Sequence, residues 1–201
     1  MRDSAWAILG EGEQRSLQLG AGVLLEDFDP AGAGSGDLRE AVLQAREDPE
    51  RRLGATREDT CFRVTPHLAE HPAEGRRCAA LGDSGLERVE VRLTGTLLEV
   101  TPRNLLRLAC FGRAARVPGG VRLDMPLGGP PVCLRNLCWA GDLSDGGLLV
   151  IQLPCAVNTG GITLDSRPGE AGAMPFSFTA LADPRAPEET APFAIWLMEA
   201  E

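Results

Sequence analysis

His67-Leu-Ala-Glu-His71 is the segment whose residue types come nearest to metal chemistry. It matches the H-x-x-E-H pattern of inverted zinc peptidases, in which two histidines hold the metal and the glutamate acts as general base. That chemistry needs both imidazoles on one helical face, four residues apart, with the acid beside them. Pro66 and Pro72 bracket the segment within a single turn, so no helix of useful length can carry it, and no third ligand is marked. These are the only two histidines. The segment reads as a surface loop, and a zinc hydrolase built on His67, Glu70 and His71 is the rival reading from another class. Stoichiometric zinc that disappears in a His71→Ala variant would revive it.

The other reactive side chains form no constellation. Cys133 and Cys138 flank Leu134-Arg-Asn-Leu137. In a strand they point to opposite faces, which is poor geometry for one metal, so both read as buried thiols. None of the six cysteines forms a CxxC pair, and Met1-Arg2-Asp3-Ser4-Ala5-Trp6 has no apolar h-region of a signal peptide. A disulfide framework is therefore not expected, and most of the cysteines read as core thiols. The glycines at 32–36, 119–120 and 128–129 lack the spacing of a phosphate loop or a dinucleotide fingerprint. Asp142 and Asp145 read as turn-formers. No catalytic, cofactor-binding or metal residue is assigned, and the chain reads as non-enzymatic. A ligand-binding β-barrel is a further alternative, but six Phe, three Trp and no Tyr would line a pocket poorly.

The bulk numbers bound the class. In 201 residues, 43% hydrophobic composition allows a single sizeable core, while 24 Gly and 15 Pro favour turns over long helices. No apolar run is long enough to cross a bilayer, and a product of a bacterial cytoplasm is expected. Acidic residues outnumber basic ones by 29 to 20, a formal net charge of −9. Tight binding to a phosphate backbone needs cations, so the chain could surround DNA without holding it.

The elements follow from periodicity. Gly20 to Leu25 reads as a turn running into a short strand, broken by Asp27-Phe-Asp-Pro30 and the flexible run 31–36. Asp37 caps a helix from Leu38 to about Arg52, with Pro49 near its end or shortening it. Cys61–Thr65 alternates with period two, and 76–81 is a weak strand. Leu86 to Val100 carries the clearest strand signal, with Val89, Val91 and Leu93 on one face and Glu90, Arg92 and Thr94 on the other. Thr101 caps a second helix over 101–112, with Pro102 first, Leu105, Leu108 and Ala109 on one face and Gly112 closing it. Val132 to Trp139, Leu148–Leu153, Ile162–Leu164, Phe176–Ala180 and Phe193–Leu197 read as strands. Turns lie at 142–147 and 158–161. The fold class is mainly β: an antiparallel β-sandwich or partly closed barrel with a flanking helix at about 101–112 and a second helix or arm at about 38–52. One domain spans 1–201, with a flexible or arm-like insertion at about 29–53.

Taken in order, several of these segments resemble the tail tube (major tail) protein family of long-tailed bacteriophages. They are Gly22-Val-Leu-Leu-Glu-Asp-Phe-Asp-Pro30, Leu53-Gly-Ala-Thr56, Leu93–Thr101, Asn136-Leu-Cys-Trp-Ala-Gly141 with Asp145-Gly146, Asn158-Thr-Gly-Gly161 and Pro192-Phe-Ala-Ile195. The likeness spans about residues 20–197. In that family glycines usually follow the Gly-Ala-Thr signature, where this chain has Arg57-Glu-Asp-Thr60. The resemblance implies a structural virion protein that self-associates into six-membered rings stacked as a hollow tube for DNA ejection. It also implies contacts with terminator, tape-measure and distal-tail proteins, DNA passing through the lumen without tight binding, no cofactor, and no membrane. The site would be a virion tail assembled in the host cytoplasm. Residues 37–52 would be a candidate arm toward a neighbouring subunit, and Glu87, Glu90 and Glu99 candidate lumen or surface acids. A tail terminator, a head–tail connector, or the tube of a gene transfer agent or other injection device shares these features.

Overall fold

The computed structural model describes residues 19–33, 37–57, 59–70, 84–110, 112–128, 131–143, 146–164, 172–182 and 190–198. The strands are β1 (Leu19–Leu25), β2 (Arg52–Ala55), β3 (Cys61–Glu70), β4 (Ser84–Leu97), β5 (Arg113–Val117), β6 (Gly120–Asp124), β7 (Leu134–Leu143), β8 (Leu148–Asn158), β9 (Met174–Ala180) and β10 (Ala194–Met198). Two α-helices accompany them, α1 (Leu38–Glu47) and α2 (Pro102–Leu108). A short 3-10 turn covers Ala31–Ala33.

Eight strands form one antiparallel sheet in the order β2-β1-β7-β8-β9-β4-β3, with β10 also on β8. The sheet curls until a single bridge, Thr56 to Leu97, joins the end of β2 to the end of β4. Two hydrogen bonds flank that bridge, Leu98 N–H to Ala55 O and Arg57 N–H to Thr96 O, both 3.0 Å. The result is a sandwich-like mainly β fold that is not closed into a barrel. Along β8 one edge is shared: β10 pairs with Leu148–Gln152 and β9 with Ala156–Asn158. Between them stands Pro154, which has no N–H to give a ladder.

The sheet carries a core on each face. Leu24, Val91, Leu93, Trp139, Ile151, Leu153, Phe176 and Phe178 fill the inner one, closed by Leu108 of α2. Leu25, Phe28, Cys138, Ala140 and Val150 meet Leu38, Val42 and Ala45 of α1 in the other. Neighbours in sequence therefore face different cores along β1, β7 and β8, and these strands read as apolar runs rather than alternation. In the inner core the Trp139 indole lies against Gly22 and Gly141, where an added Cβ would come within 2.4 and 2.5 Å of the ring. Its Nε1 donates to Thr56 Oγ1 (3.0 Å), which donates to Gly22 O (3.2 Å).

Several expectations are corrected. Helix α1 starts at the Asp37 cap as expected but stops at Glu47, because Pro49 cannot continue it, and Arg52 already belongs to β2. Helix α2 starts at Thr101 and Pro102 but ends at Leu108, with Cys110 (φ 53°) rather than Gly112 in the left-handed position. The Cys110 carbonyl accepts from Val132 N–H, which anchors that turn. Ile162–Leu164 belongs to no strand and is exposed. Strand β2 and the separate hairpin β5–β6 were not expected. Residues 76–81, the N-terminal segment 1–18 and Asp145 lie outside the described residues.

Candidate functional site

The histidine segment is extended, not a loop. β3 runs through Pro66 to Glu70, and Pro66 is tolerated because β3 pairs only with β4, with Pro66 opposite Val89. His67 Nε2 stands 3.7 Å from Glu90 Oε2, and the other carboxylate oxygen of Glu90 meets Arg92 Nε. This is a cross-strand charge cluster. An extended chain rises about 3.3 Å per residue, so the one-face helical spacing of a zinc motif does not arise over 67–70. His71 lies outside the described residues, among which no group of three His, Cys, Asp or Glu could hold a metal.

The cysteine expectations are also corrected. Cys133 and Cys155 form a disulfide across β7 and β8, with Cα atoms 6.1 Å apart, within the usual range. Cys133 is thus neither free nor buried; adjacent-strand proximity, which spacing in the sequence does not encode, brings the pair together. Cys61 is exposed, Cys110 is partly buried, and among the free described cysteines only Cys138 is a core thiol. Its Sγ contacts Phe28 O at 3.2 Å, and burial, then the nearby Asp29 carboxylate, push its thiol pKa far up.

The larger surface features lie on the strands. β4 pairs with β9 only over Arg92–Leu97, whereas β3 follows β4 all the way to Ser84. The far half of β3–β4 is therefore a two-stranded ribbon. Cross-strand partners share a face, so Phe62 with Leu93, Val64 with Val91, Pro66 with Val89 and Leu68 with Leu86 form one apolar stripe. A bulge between His67 and Leu68 keeps the phase, with Glu87 as the extra residue. The stripe starts in the core at Leu93 (0% exposed) and ends in solvent at Leu68 (60%) and Leu86 (63%). The opposite face is polar: Arg63, Thr65, His67, Arg88, Glu90 and Arg92. Of the acids singled out, Glu90 is matched by His67 and Arg92, Glu99 stands 3.7 Å from Arg52, and Glu87 is exposed.

A second apolar strip runs along β10. Trp196 turns toward the α1 core, while Ile195 and Leu197, opposite Ile151 and Leu149, are exposed on the inner-core face. The two strips meet where the Phe62 and Phe193 rings pack in a tilted arrangement, centroids 5.4 Å apart. Among the described residues β3 and β10 each pair along one edge only, leaving backbone donors and acceptors on the other.

Helix α1 lies on the chain's own sheet and is clamped at both ends. Arg39 reaches Asp142 (3.1 Å) and Gly146 O at the β7–β8 turn. At the other end Arg103 of α2 donates to Pro49 O and Glu50 O and pairs with Glu26 (3.1 Å). Arg107 binds the same carboxylate at 2.9 Å; Glu26 is 4% exposed there, so this buried acid is held by two guanidiniums. One flank of α1 bounds a cleft of about 310 Å³ between Arg39, Leu43, Arg46 and Arg52. The other bounds a groove of about 440 Å³ between Asp27, Phe28, Asp29, Ala41, Gln44 and Asp48.

No protein-family model matches the chain. No curated protein matches it.

Proposed function

We propose that this chain is a self-assembling structural subunit, the building block of a tail tube of the bacteriophage type, whose rings conduct DNA. The observation that carries the reading is the apolar stripe of the β3–β4 ribbon, which leaves the core and continues into solvent to Leu68 and Leu86. A solvated ribbon has no reason to keep that alternation beyond the body it packs on, and an exposed apolar stripe marks a surface that is covered in use. Free edges on β3 and β10, each bearing apolar side chains, add main-chain groups that a second copy can pair with. Because β3 and β10 are different surfaces, joining the edge of one copy to the other edge of the next is a heterologous contact, the kind that closes into rings. A net charge of −9, repeated around a ring, favours a lumen that phosphate does not stick to.

Negative-stain electron microscopy of the purified chain over a range of concentrations tests this. Rings or hollow filaments are the expected result. Uniform single particles at every concentration, also in the presence of preformed tube ends, would sink it.

A further inference from the structure

We propose that the β5–β6 hairpin of one copy docks in the groove beneath α1 of a second copy, a contact separate from the strand edges; the proposal rests on the self-assembly reading above. The hairpin stands apart from the main sheet as its own two-stranded sheet. From Arg113 to Asp124 every residue is exposed except Leu123, which is half-buried. An isolated two-stranded hairpin is marginal in water, so this one gains from a partner surface. Its turn, Val117-Pro118-Gly119-Gly120, places Pro ahead of a glycine with φ 80°, and the exposed Val117 and Val121 stand near it on opposite faces of the hairpin.

Charge names the partner. Arg113, Arg116 and Arg122 stand against one acid, Asp124, which Arg122 already holds at 2.9 Å. The hairpin is thus a cationic projection on a chain of net charge −9. The groove has the converse character. Asp27, Asp29 and Asp48 line it with one cation, Arg51, itself 3.5 Å from Asp48. Ala41 is its half-buried apolar residue, while Phe28 and Ala45 form the buried floor. Arg113 and Arg116 have no ion-pair partner among the described residues. The fit places the hairpin face that carries Arg116 and Val121 on the groove, with the Arg116 guanidinium toward its carboxylates. Hairpin and groove are different surfaces, so this contact also propagates from copy to copy instead of ending at a dimer.

The test is a charge exchange in the full chain. One variant carries Arg113→Glu and Arg116→Glu; a second carries Asp27→Asn, Asp29→Asn and Gln44→Arg; a third carries all five changes. All the altered side chains are exposed, and thermal unfolding checks that each variant folds. Sedimentation velocity and electron microscopy read association. Each of the first two should weaken it by about tenfold or more, and the combined variant should regain it, because the acidic hairpin then meets a groove that keeps only Asp48 against Arg51 and the guanidinium introduced by Gln44→Arg, and has become cationic. Association of the hairpin variant at the wild-type level overturns the docking and leaves the assembly reading standing. So does a combined variant no better than the two alone, or a hairpin change that alters only retention on duplex DNA. A wild-type chain that never associates takes both readings down together.

Discussion

Trp139 depends on what its neighbours lack. Two glycines leave space for the indole, and one threonine hydroxyl takes its N–H. Gly141→Ala should cost about 1–3 kcal/mol through displacement of the ring, read as a lower midpoint in urea unfolding with tryptophan fluorescence. Thr56→Val should cost a similar amount, because Nε1 is left buried without its acceptor. Cys138 supplies a pH signature. Its folded-state pKa is raised above the ordinary 9.0 by burial and by Asp29. The proton is therefore held more tightly in the folded state. The contribution is complete below the unfolded pKa and is lost as pH climbs above it. Stability should fall as pH rises past 9.0, and Cys138→Ala should flatten that slope even though it lowers stability at neutral pH. Chemical unfolding across the alkaline range, on matched buffers, decides this. The caps at Asp37 and Thr101 were legible from the sequence because each acts within a few residues. The Cys133–Cys155 bond was not, since it joins side chains separated by 22 positions and made adjacent only by the β7–β8 register.

Among the elements, α1 shows how a short helix is kept in place. Its apolar stripe of Leu38, Val42 and Ala45 is buried on the sheet, and arginines from elsewhere hold both ends. Arg103→Ala removes the bonds to the Pro49 and Glu50 carbonyls and half the partnership of a buried glutamate. Destabilisation of about 2–4 kcal/mol is expected. A larger loss than for Arg39→Ala should follow, because the Arg39 pair with Asp142 is solvent-exposed. Thermal melts of the two variants compare them. Strand β4 was readable because its alternation survives along its length, whereas β7 and β8, apolar toward two cores, were readable only as strands and not as to which face each residue serves. β5 and β6 escaped notice for the opposite reason: with nearly every residue exposed, no burial pattern marks them. Ile162–Leu164 misled by composition, since β-branched and apolar residues there have no partner strand.

At the scale of the whole molecule, strand order was beyond the sequence. The return of β3 and β4 beside β9, and the bridge from Thr56 to Leu97, are long-range pairings that no local signal encodes. The candidate assembly surface inherits that limit. The apolar residues of β3 and β4 were visible, but their extension past the body depends on where β9 stops. If the ribbon is covered in the assembled state, Leu68→Asp with Leu86→Asp should abolish association while leaving the melting temperature within a few degrees of wild type, because both positions are solvated in the single subunit. Electron microscopy and calorimetry on the same preparation separate loss of assembly from loss of fold.

The shared edge of β8 bears on timing. Since β10 and β9 occupy different lengths of one strand, with Pro154 between them, the last strand can peel away without disturbing the ladder behind it. Amide protons of 194–198 should exchange with solvent well ahead of those of 174–180, and the vacated stretch of β8 would present fresh backbone to whatever strand arrives next.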